Sequence, residues 1–277
     1  MYNYLRKKEE SSGCMNNNRP IGVFDSGIGG VTVLEELIKK FPNENFIYVG
    51  DTLNLPYGTK TPEKLKELVS SVANYLVNRD VKAIVIACNT ATANSAHLND
   101  ELSIPVIGVI EPTANYAYEM SKNKNILVLA TNVTIESNAY QNALIGIDAN
   151  GHYYFSKCSE FVDAIEKNNI NTEESFKLVS DKLNEYKDKD IDTIILGCTH
   201  FGLYSKEIKN VFPNATLIPC SIPTADKLFN VLNENSSLNL QKNIGEIEIF
   251  ATSDPDFMEE KISWFSGNFD YVKLLKL

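Results

Sequence analysis

The chain has 277 residues, of which 43% are hydrophobic and 22% are charged, as in ordinary globular proteins. Its net charge of −10 argues against binding to nucleic acid or to an anionic membrane surface, because both carry negative charge. The five cysteines are scattered and include no C-x-x-C pair. We therefore expect free thiols in a reducing cytoplasm, with no disulfide framework and no metal site. No signal peptide or membrane-spanning run is evident.

Residues 1–19 are polar and without periodicity, which predicts a disordered extension in which Cys14 is a bystander. Residues 20–24 are a short apolar strand, followed by the loop 25–30 (DSGIGG) and an amphipathic helix. The loop lacks the ending of a P-loop and the spacing of a dinucleotide fingerprint. We expect its glycines to let the start of the helix approach a small anion such as a carboxylate.

The pattern of strand and helix then continues. Residues 46–50 are an apolar strand that ends at Asp51, and residues 104–110 form another. Between them a helix begins at about residue 61, with a threonine as its cap and a proline at its first position. The preceding loop contains Tyr57 and Gly58, which either close over a ligand or form a solvent-facing turn.

Two segments, 80–90 (DVKAIVIACNT) and 190–200 (DIDTIILGCTH), align without a gap. Each is a β-branched apolar run that leads to a cysteine and polar residues, which is typical of a buried parallel strand with the cysteine just past its carboxyl end. Open α/β sheets bind ligands at that edge. One such cysteine is more often an inert buried thiol. Two at equivalent positions indicate a site that treats its two sides alike, as inversion of a stereocentre requires.

The second cysteine segment belongs to a diverged repeat of the first half. Strands at 125–130 and 152–155 and a helix at 173–187 precede it, in the same order as their counterparts. Alternating strands and helices predict an α/β fold with parallel sheets covered on both faces, in two units of roughly 100–110 residues, the size of ordinary domains. The tail is too short to be a domain, so we expect it to complete the first unit. The predicted lobes are 20–110 with 224–277 (lobe A) and 111–223 (lobe B).

Moving a proton from one face of a carbon to the other needs a base and an acid on opposite sides. Thiols suit both roles because a pKa of ~8.5 falls near cations and helix N-termini, so that one of Cys88 and Cys198 is thiolate while the other is thiol. We expect Asp25 and Asp51 to face the same crevice as Cys88, although Asp25 alternatively caps the helix that follows it. His200 either assists Cys198 or is a structural residue.

Four motifs in order resemble those of bacterial glutamate racemases: FDSGIGG at 24–30, GDT and PYG at 50–58, ACNTA at 87–91 and LGCTH at 196–200. The resemblance runs from about residue 20 to the end. It implies two pseudo-symmetric lobes, each a parallel sheet flanked by helices, with the active site between them. It also implies cofactor-independent, two-base racemisation of L- and D-glutamate that supplies D-glutamate for peptidoglycan, and hence for cell-wall biogenesis and cell shape.

By motif position, the resemblance assigns the acid and base roles to Cys88 and Cys198, supported by Asp25, His200 and Glu166. The implied substrate-binding residues are Asp25, Ser26, Tyr57, Gly58, Asn89, Thr90, Thr199 and His200. Neither a cofactor nor a metal is implied. The only expected partner is the small-molecule substrate, and a homodimer is left open.

The chain departs from the family pattern at Phe201 and Gly202, at residues 220–223, and in the loop 130–134. Ser159 and Asp163 also stand where the family usually has proline. Two other functions stay open: an isomerase of another small acid (aspartate, a hydantoin or a maleate-like diacid), and a non-catalytic small-acid-binding regulatory protein with structural thiols. By resemblance, His200 favours glutamate, since aspartate-specific relatives tend to have Glu there.

Overall fold

The computed structural model describes residues 18–265, 269 and 271–277, so Cys14 and the rest of residues 1–17 lie outside the described part. Within that part, ten strands form two sheets. They are β1 (Ile21–Asp25), β2 (Phe46–Gly50), β3 (Ala83–Ile86), β4 (Val106–Gly108), β5 (Asn125–Ala130), β6 (His152–Lys157), β7 (Thr193–Gly197), β8 (Thr216–Pro219), β9 (Ile247–Ala251) and β10 (Val272–Leu274).

The two sheets share one topology. The first has the strand order β10-β9-β2-β1-β3-β4, and the second has the order β6-β5-β7-β8. All strand pairs are parallel. The order β2-β1-β3-β4 is repeated as β6-β5-β7-β8, which confirms an α/β fold of two similar lobes and places β3 and β7, the strands that precede Cys88 and Cys198, at equivalent positions. The tail adds β9 and β10 to the first sheet, while the lobe boundaries given above stay predictions.

Twelve α-helices accompany these strands in the described residues. They are α1 (Val31–Lys40), α2 (Pro62–Asn78), α3 (Asn89–Thr92), α4 (Leu98–Glu101), α5 (Ile110–Met120), α6 (Asn132–Glu136), α7 (Ala139–Ile147), α8 (Ser159–Glu166), α9 (Glu173–Leu183), α10 (Ser205–Val211), α11 (Ser221–Glu234) and α12 (Pro255–Phe265). None of them is both long enough and apolar enough to cross a bilayer.

Local sequence accounts for most of these elements. The apolar runs of β1, β3 and β7 are buried along their whole length, as strands covered on both faces must be. Helix α2 begins as predicted, with Pro62 at its first position and the Thr61 hydroxyl accepting the Lys64 N–H at 3.3 Å. The predicted strand at 104–110 is shorter in the structure. Only Val106–Gly108 is extended, and Ile110 begins a helix with Pro112 in its first turn.

Apolar clusters fill both faces of each sheet. The packing leaves the carboxyl ends of β1 and β3 opposite those of β5 and β7, where polar loops from both lobes meet at one cavity. The fold therefore places the two cysteine loops on a shared site.

Candidate active site

A cavity of about 70 Å³ lies between the two sheets. Cys88 lines it from the end of β3 and Cys198 from the end of β7. The other lining residues are Ser26, Pro56, Tyr57, Gly58, Thr59, Asn89, Thr90, Thr131, Ser159, Val162, Asp163, Gly197, Thr199 and His200. All predicted substrate-binding residues except Asp25 are in this set.

Cys88 is held at the start of α3. Its sulfur accepts the N–H of Ala91 at 3.4 Å, and its thiol donates to the Ser26 Oγ at 3.6 Å. The side chain is 7% exposed. Burial, together with the negative charge of Asp25, raises the pKa of the Cys88 thiol to about 12.

Asp25 lies beneath the cavity wall and is fully buried. Its Oδ2 accepts the N–H groups of Gly27 at 3.2 Å and of Gly30 at 3.1 Å. Its Oδ1 is also buried and accepts no hydrogen bond from the described residues. Burial raises the pKa of this carboxyl, while these N–H groups and the Cys88 thiol lower it. The Oδ2 of Asp25 therefore anchors the glycine loop, while its Oδ1 is available to accept a proton from Cys88.

Two N–H groups of the glycine loop are occupied by the carboxylate of Asp25, and the approach of the loop to a bound small anion stays a prediction. Its glycines also allow close packing. A Cβ on Gly30 would lie 2.5 Å from the Asp25 Cβ, and one on Gly29 would lie 2.3 Å from the Thr199 Oγ1. The loop of the first lobe thus reaches Thr199 and His200 of the second only because Gly29 has no side chain.

Asp51 does not face the cavity, in contrast to the expectation from its position after β2. Its Oδ2 accepts the hydroxyl of Tyr57 at 2.6 Å, and its Oδ1 accepts the hydroxyl of Thr252 at 2.7 Å. Tyr57 is 1% exposed and lines the cavity, so the solvent-facing turn is excluded. With its hydroxyl tied to Asp51, Tyr57 forms a fixed wall, and Gly58 beside it packs against Thr131.

Cys198 has a different set of neighbours. Its sulfur is 3.8 Å from the Nδ1 of His200, whose Nε2 is 3.6 Å from the Oε1 of Glu166. The edge of the Phe265 ring packs against the imidazole, with the ring centres 5.4 Å apart. The structure thus brings together the predicted helpers of the second thiol in the order Cys198, His200, Glu166. Glu166 lies behind His200 and does not line the cavity.

Burial controls the protonation of these groups. It lowers the pKa of His200 to about 4, raises the pKa of Glu166, and raises the pKa of the Cys198 thiol well above its ordinary value. Among the described residues that line the cavity, none is Lys or Arg. The predicted lowering of the thiol pKa by cations is therefore absent, and the N–H of Ala91 does not outweigh burial at Cys88. Both thiols and neutral His200 are the forms expected near pH 7.

Sequence reasoning missed several lining residues. Thr131 follows β5, the counterpart of β1. Because Phe24 pairs with Ile86 and Leu129 pairs with Leu196, the strand register places Thr131 at the position that Ser26 holds in the first lobe. Its hydroxyl is 3.0 Å from that of Thr90 and 2.9 Å from that of Thr134. The repeat was the signal that identifies Thr131. Ser159 and Asp163 were noted only as departures from a family pattern, and both lie on the cavity wall.

Comparisons with known proteins agree with this geometry. The family model described as Asp/Glu/Hydantoin racemase matches residues 21–224. The glutamate racemase of Pediococcus pentosaceus is 40% identical over 246 residues, which cover 88% of this chain and 93% of that protein. That of Staphylococcus haemolyticus is 40% identical over 243 residues, with coverages of 86% and 90%.

Solved structures give the same result. Glutamate racemase isoform RacE1 from Bacillus anthracis has a TM-score of 0.90 at 34% identity, covering 94% of this chain and 98% of that one. The glutamate racemase from Francisella tularensis, solved in complex with D-glutamate, has a TM-score of 0.88 at 33% identity with the same coverages. The aspartate racemase of Picrophilus torridus, at 18% identity and a TM-score of 0.59, shares the fold.

Proposed function

Because the chain belongs to the Asp/Glu/hydantoin racemase family and is an amino-acid racemase, we propose that its substrate is glutamate and that Cys88 and Cys198 are its two proton-transfer groups. The observation that carries the proposal is the placement of these thiols at equivalent strand ends of two lobes, on one cavity. The names of the relatives, which are glutamate racemases at about 40% identity over most of the chain, support the choice of substrate.

The cavity suits an acid held by neutral donors. Hydroxyl groups of Ser26, Thr90, Thr131 and Thr199 and the amide of Asn89 line it, and such groups bind carboxylates through hydrogen bonds. The ammonium group of the substrate therefore supplies the positive charge, at a site whose described lining has no Lys or Arg and in which His200 is neutral near pH 7. That charge favours thiolate over thiol, which offsets the raised pKa of Cys88 and Cys198.

The proposed reaction begins when one thiolate removes the proton from the α-carbon of the enantiomer that faces it. The electron pair of the C–H bond moves into the adjacent carboxylate, where the surrounding hydroxyl and amide donors stabilise the added charge. The opposite thiol then donates its proton to the other face of the same carbon. One S–H bond forms and one breaks, so the two cysteines exchange protonation states and the product has the opposite configuration.

Each thiolate forms by proton transfer to a neighbour. One buried oxygen of Asp25, beside Cys88, accepts no hydrogen bond within the part of the chain that the structure describes, so Asp25 is the acceptor in the first lobe. Neutral His200, 3.8 Å from the sulfur, is the acceptor in the second, and Glu166 behind it stabilises the imidazolium that forms. Asp25, His200 and Glu166 thus retain the helper roles given by the resemblance.

We further propose that the product feeds peptidoglycan synthesis in the cytoplasm, with the homodimer still a prediction. The free state of all four cysteines in the described residues, 88, 158, 198 and 220, is consistent with a reducing compartment. Depletion of the protein in its host should then cause loss of cell shape that added D-glutamate reverses.

The direct test is incubation of L-glutamate, and separately L-aspartate, with purified protein and no added cofactor, followed by chiral chromatography. Formation of D-glutamate up to an equal mixture, with little D-aspartate, is the expected result. Absence of D-glutamate from the wild-type reaction would overturn the proposal, and D-aspartate as the main product would move it to the alternative substrate.

A further inference from the structure

Asn89, the residue that follows Cys88, is held from the second lobe by two buried side chains that do not line the substrate cavity. Its Oδ1 accepts the hydroxyl of Tyr140 at 2.7 Å, and its Nδ2 donates to the sulfur of Cys220 at 3.5 Å. Tyr140 lies on α7 and Cys220 immediately precedes α11. Their exposed fractions are 1% and 5%.

These contacts have a definite direction. The thiol of Cys220 has one proton, and its shortest contact with an acceptor is the carbonyl of Leu196, at 3.3 Å. The sulfur also lies 3.6 Å from the Asn89 Oδ1 and 3.6 Å from the Tyr140 hydroxyl. With the thiol proton on the Leu196 carbonyl, the sulfur has only lone pairs for Asn89 and accepts from its NH2 group. The hydroxyl of Tyr140 then donates to the opposite end. A flipped amide would lose the 2.7 Å bond from the Tyr140 hydroxyl to the Asn89 oxygen. It would also turn that oxygen to the 3.5 Å contact with a sulfur whose proton is used elsewhere.

The orientation leaves one group unused. The NH2 of Asn89 has two hydrogens, of which Cys220 takes one. Because Asn89 also lines the cavity, the second hydrogen is available as a donor to a bound acid. Leu196 is two residues before Cys198 on β7, so the same thiol also ties the residue after Cys88 to the strand that carries Cys198.

We propose that Tyr140 and Cys220 are positioning residues that orient the Asn89 amide toward a carboxylate of the substrate. The inference rests on glutamate as the substrate. Neither side chain touches the substrate; both act through Asn89. Since the amide donates to a charged group, loss of the orientation is expected to weaken substrate binding about tenfold, while the thiols and their helpers keep their places.

The test is calorimetric titration with racemic glutamate, whose composition turnover does not change. We expect Tyr140→Phe, which removes only the hydroxyl, to weaken the apparent affinity about tenfold. The matched control is Tyr204→Phe: Tyr204 is also fully buried in the second lobe and donates to the Asn169 carbonyl at 2.9 Å, but it does not line the cavity. That variant should lose stability and keep wild-type affinity.

A double-mutant cycle separates positioning from general packing. In an Asn89→Ala background, adding Tyr140→Phe should leave the affinity unchanged, because the group it orients is gone. Cys220→Ala should weaken binding, and Cys220→Ser should restore it, because a hydroxyl donates and accepts in the same directions. If Tyr140→Phe does not fold, the comparison of Cys220→Ala with Cys220→Ser serves as the test.

The outcomes distinguish the two proposals. Wild-type protein that neither binds nor racemises glutamate would contradict the proposed function. An active wild type in which Tyr140→Phe or Cys220→Ala binds normally, or in which Tyr140→Phe weakens binding equally with and without Asn89, would overturn the positioning role alone.

Discussion

Cys88 and Cys198 hold equivalent places in two sheets of the same strand order, yet their proton partners differ. Cys88 is beside the fully buried carboxyl of Asp25, whereas Cys198 is beside the imidazole of His200. In the second lobe, the strand register places Ala130, which has no ionisable group, at the position of Asp25. Thr131, whose hydroxyl joins those of Thr90 and Thr134, is at the position of Ser26. The repeat therefore preserves the positions of the thiols and not those of their helpers.

This difference shows which features the reaction requires twice. A proton must be removed from either face of the α-carbon, so two thiols are needed in similar positions. Burial raises the pKa of both thiols, so each needs a neighbour that accepts its proton, and both a carboxylate and an imidazole can do so. Because enantiomers have the same free energy, kcat/KM must be equal in the two directions. The asymmetry of the helpers is visible only in kcat and KM taken separately.

The largest expected effect is that of removing either thiol. Cys88→Ser and Cys198→Ser should each lower kcat for racemisation about 10³-fold, since general acid–base groups contribute on the order of 10²–10⁴-fold. Chiral chromatography of the product measures the loss. The control is Cys158→Ser, because Cys158 is buried in the second lobe away from the cavity lining, and this variant should keep near-wild-type kcat. Full activity in either Cys88→Ser or Cys198→Ser would contradict the proposal that both thiols are required.

A smaller effect is expected from Asp25→Asn. The amide oxygen still accepts the N–H groups of Gly27 and Gly30, so the loop keeps its shape, but the negative charge and the proton acceptor are lost. We expect kcat to fall about 10²-fold, while the pKa of Cys88 falls because Asp25 raises it. Alkylation of Cys88 at fixed pH, followed by mass spectrometry of its peptide, should therefore become faster in a less active enzyme. Slower alkylation together with lower kcat would instead indicate a merely structural Asp25.

The helper of the second lobe is best examined through stability. His200 has a pKa of about 4 in the folded protein, against ~6.5 unfolded. Between these values the unfolded chain binds more protons, so the free energy of unfolding falls as pH falls from about 6.5 to about 4. His200→Asn removes this titration. As pH falls across that window, the free energy of unfolding of the variant relative to wild type should therefore rise by on the order of 3 kcal/mol. Chemical denaturation at several pH values measures it.

His152→Asn supplies the control for that measurement, because His152 is exposed at the amino end of β6, whereas the cavity lies at the carboxyl ends of the strands. If the stability of His200→Asn changes with pH in parallel with that of wild type, burial does not keep the imidazole neutral. The proposed difference between the helpers of Cys88 and Cys198 would then be lost.

The sequence predicted the parts of the fold and the site that follow from local pattern. Buried β-branched runs identified β1, β3 and β7, and the rule that ligands bind at the carboxyl ends of parallel strands located Cys88, Cys198 and the residues beside them. Strand β8 was not identified, because it is only four residues long, is mostly not buried and ends in proline. The expectation that Asp51 faces the cavity was wrong, because the position of a residue after a strand does not determine which neighbour its side chain contacts.

Contacts between the lobes could not be predicted from spacing. The hydrogen bond from Tyr140 to Asn89 joins residues 51 positions apart on different elements, and nothing local to either residue indicates it. The raised pKa of both thiols was also missed, since the depth of burial depends on the packing of both lobes around the cavity. The repeat itself was visible in the sequence, and it was also the signal that would have identified Thr131.

The most direct test of the two-thiol account is exchange of the α-proton in D2O, followed by NMR, with each serine variant and each enantiomer of glutamate. A single remaining thiol can remove and return a proton on only one face of the carbon. Cys88→Ser should therefore exchange one enantiomer without inverting it, and Cys198→Ser should exchange the other. Exchange of the same enantiomer by both variants, or equal exchange of both enantiomers by either one, would contradict the assignment of the two cysteines to opposite faces.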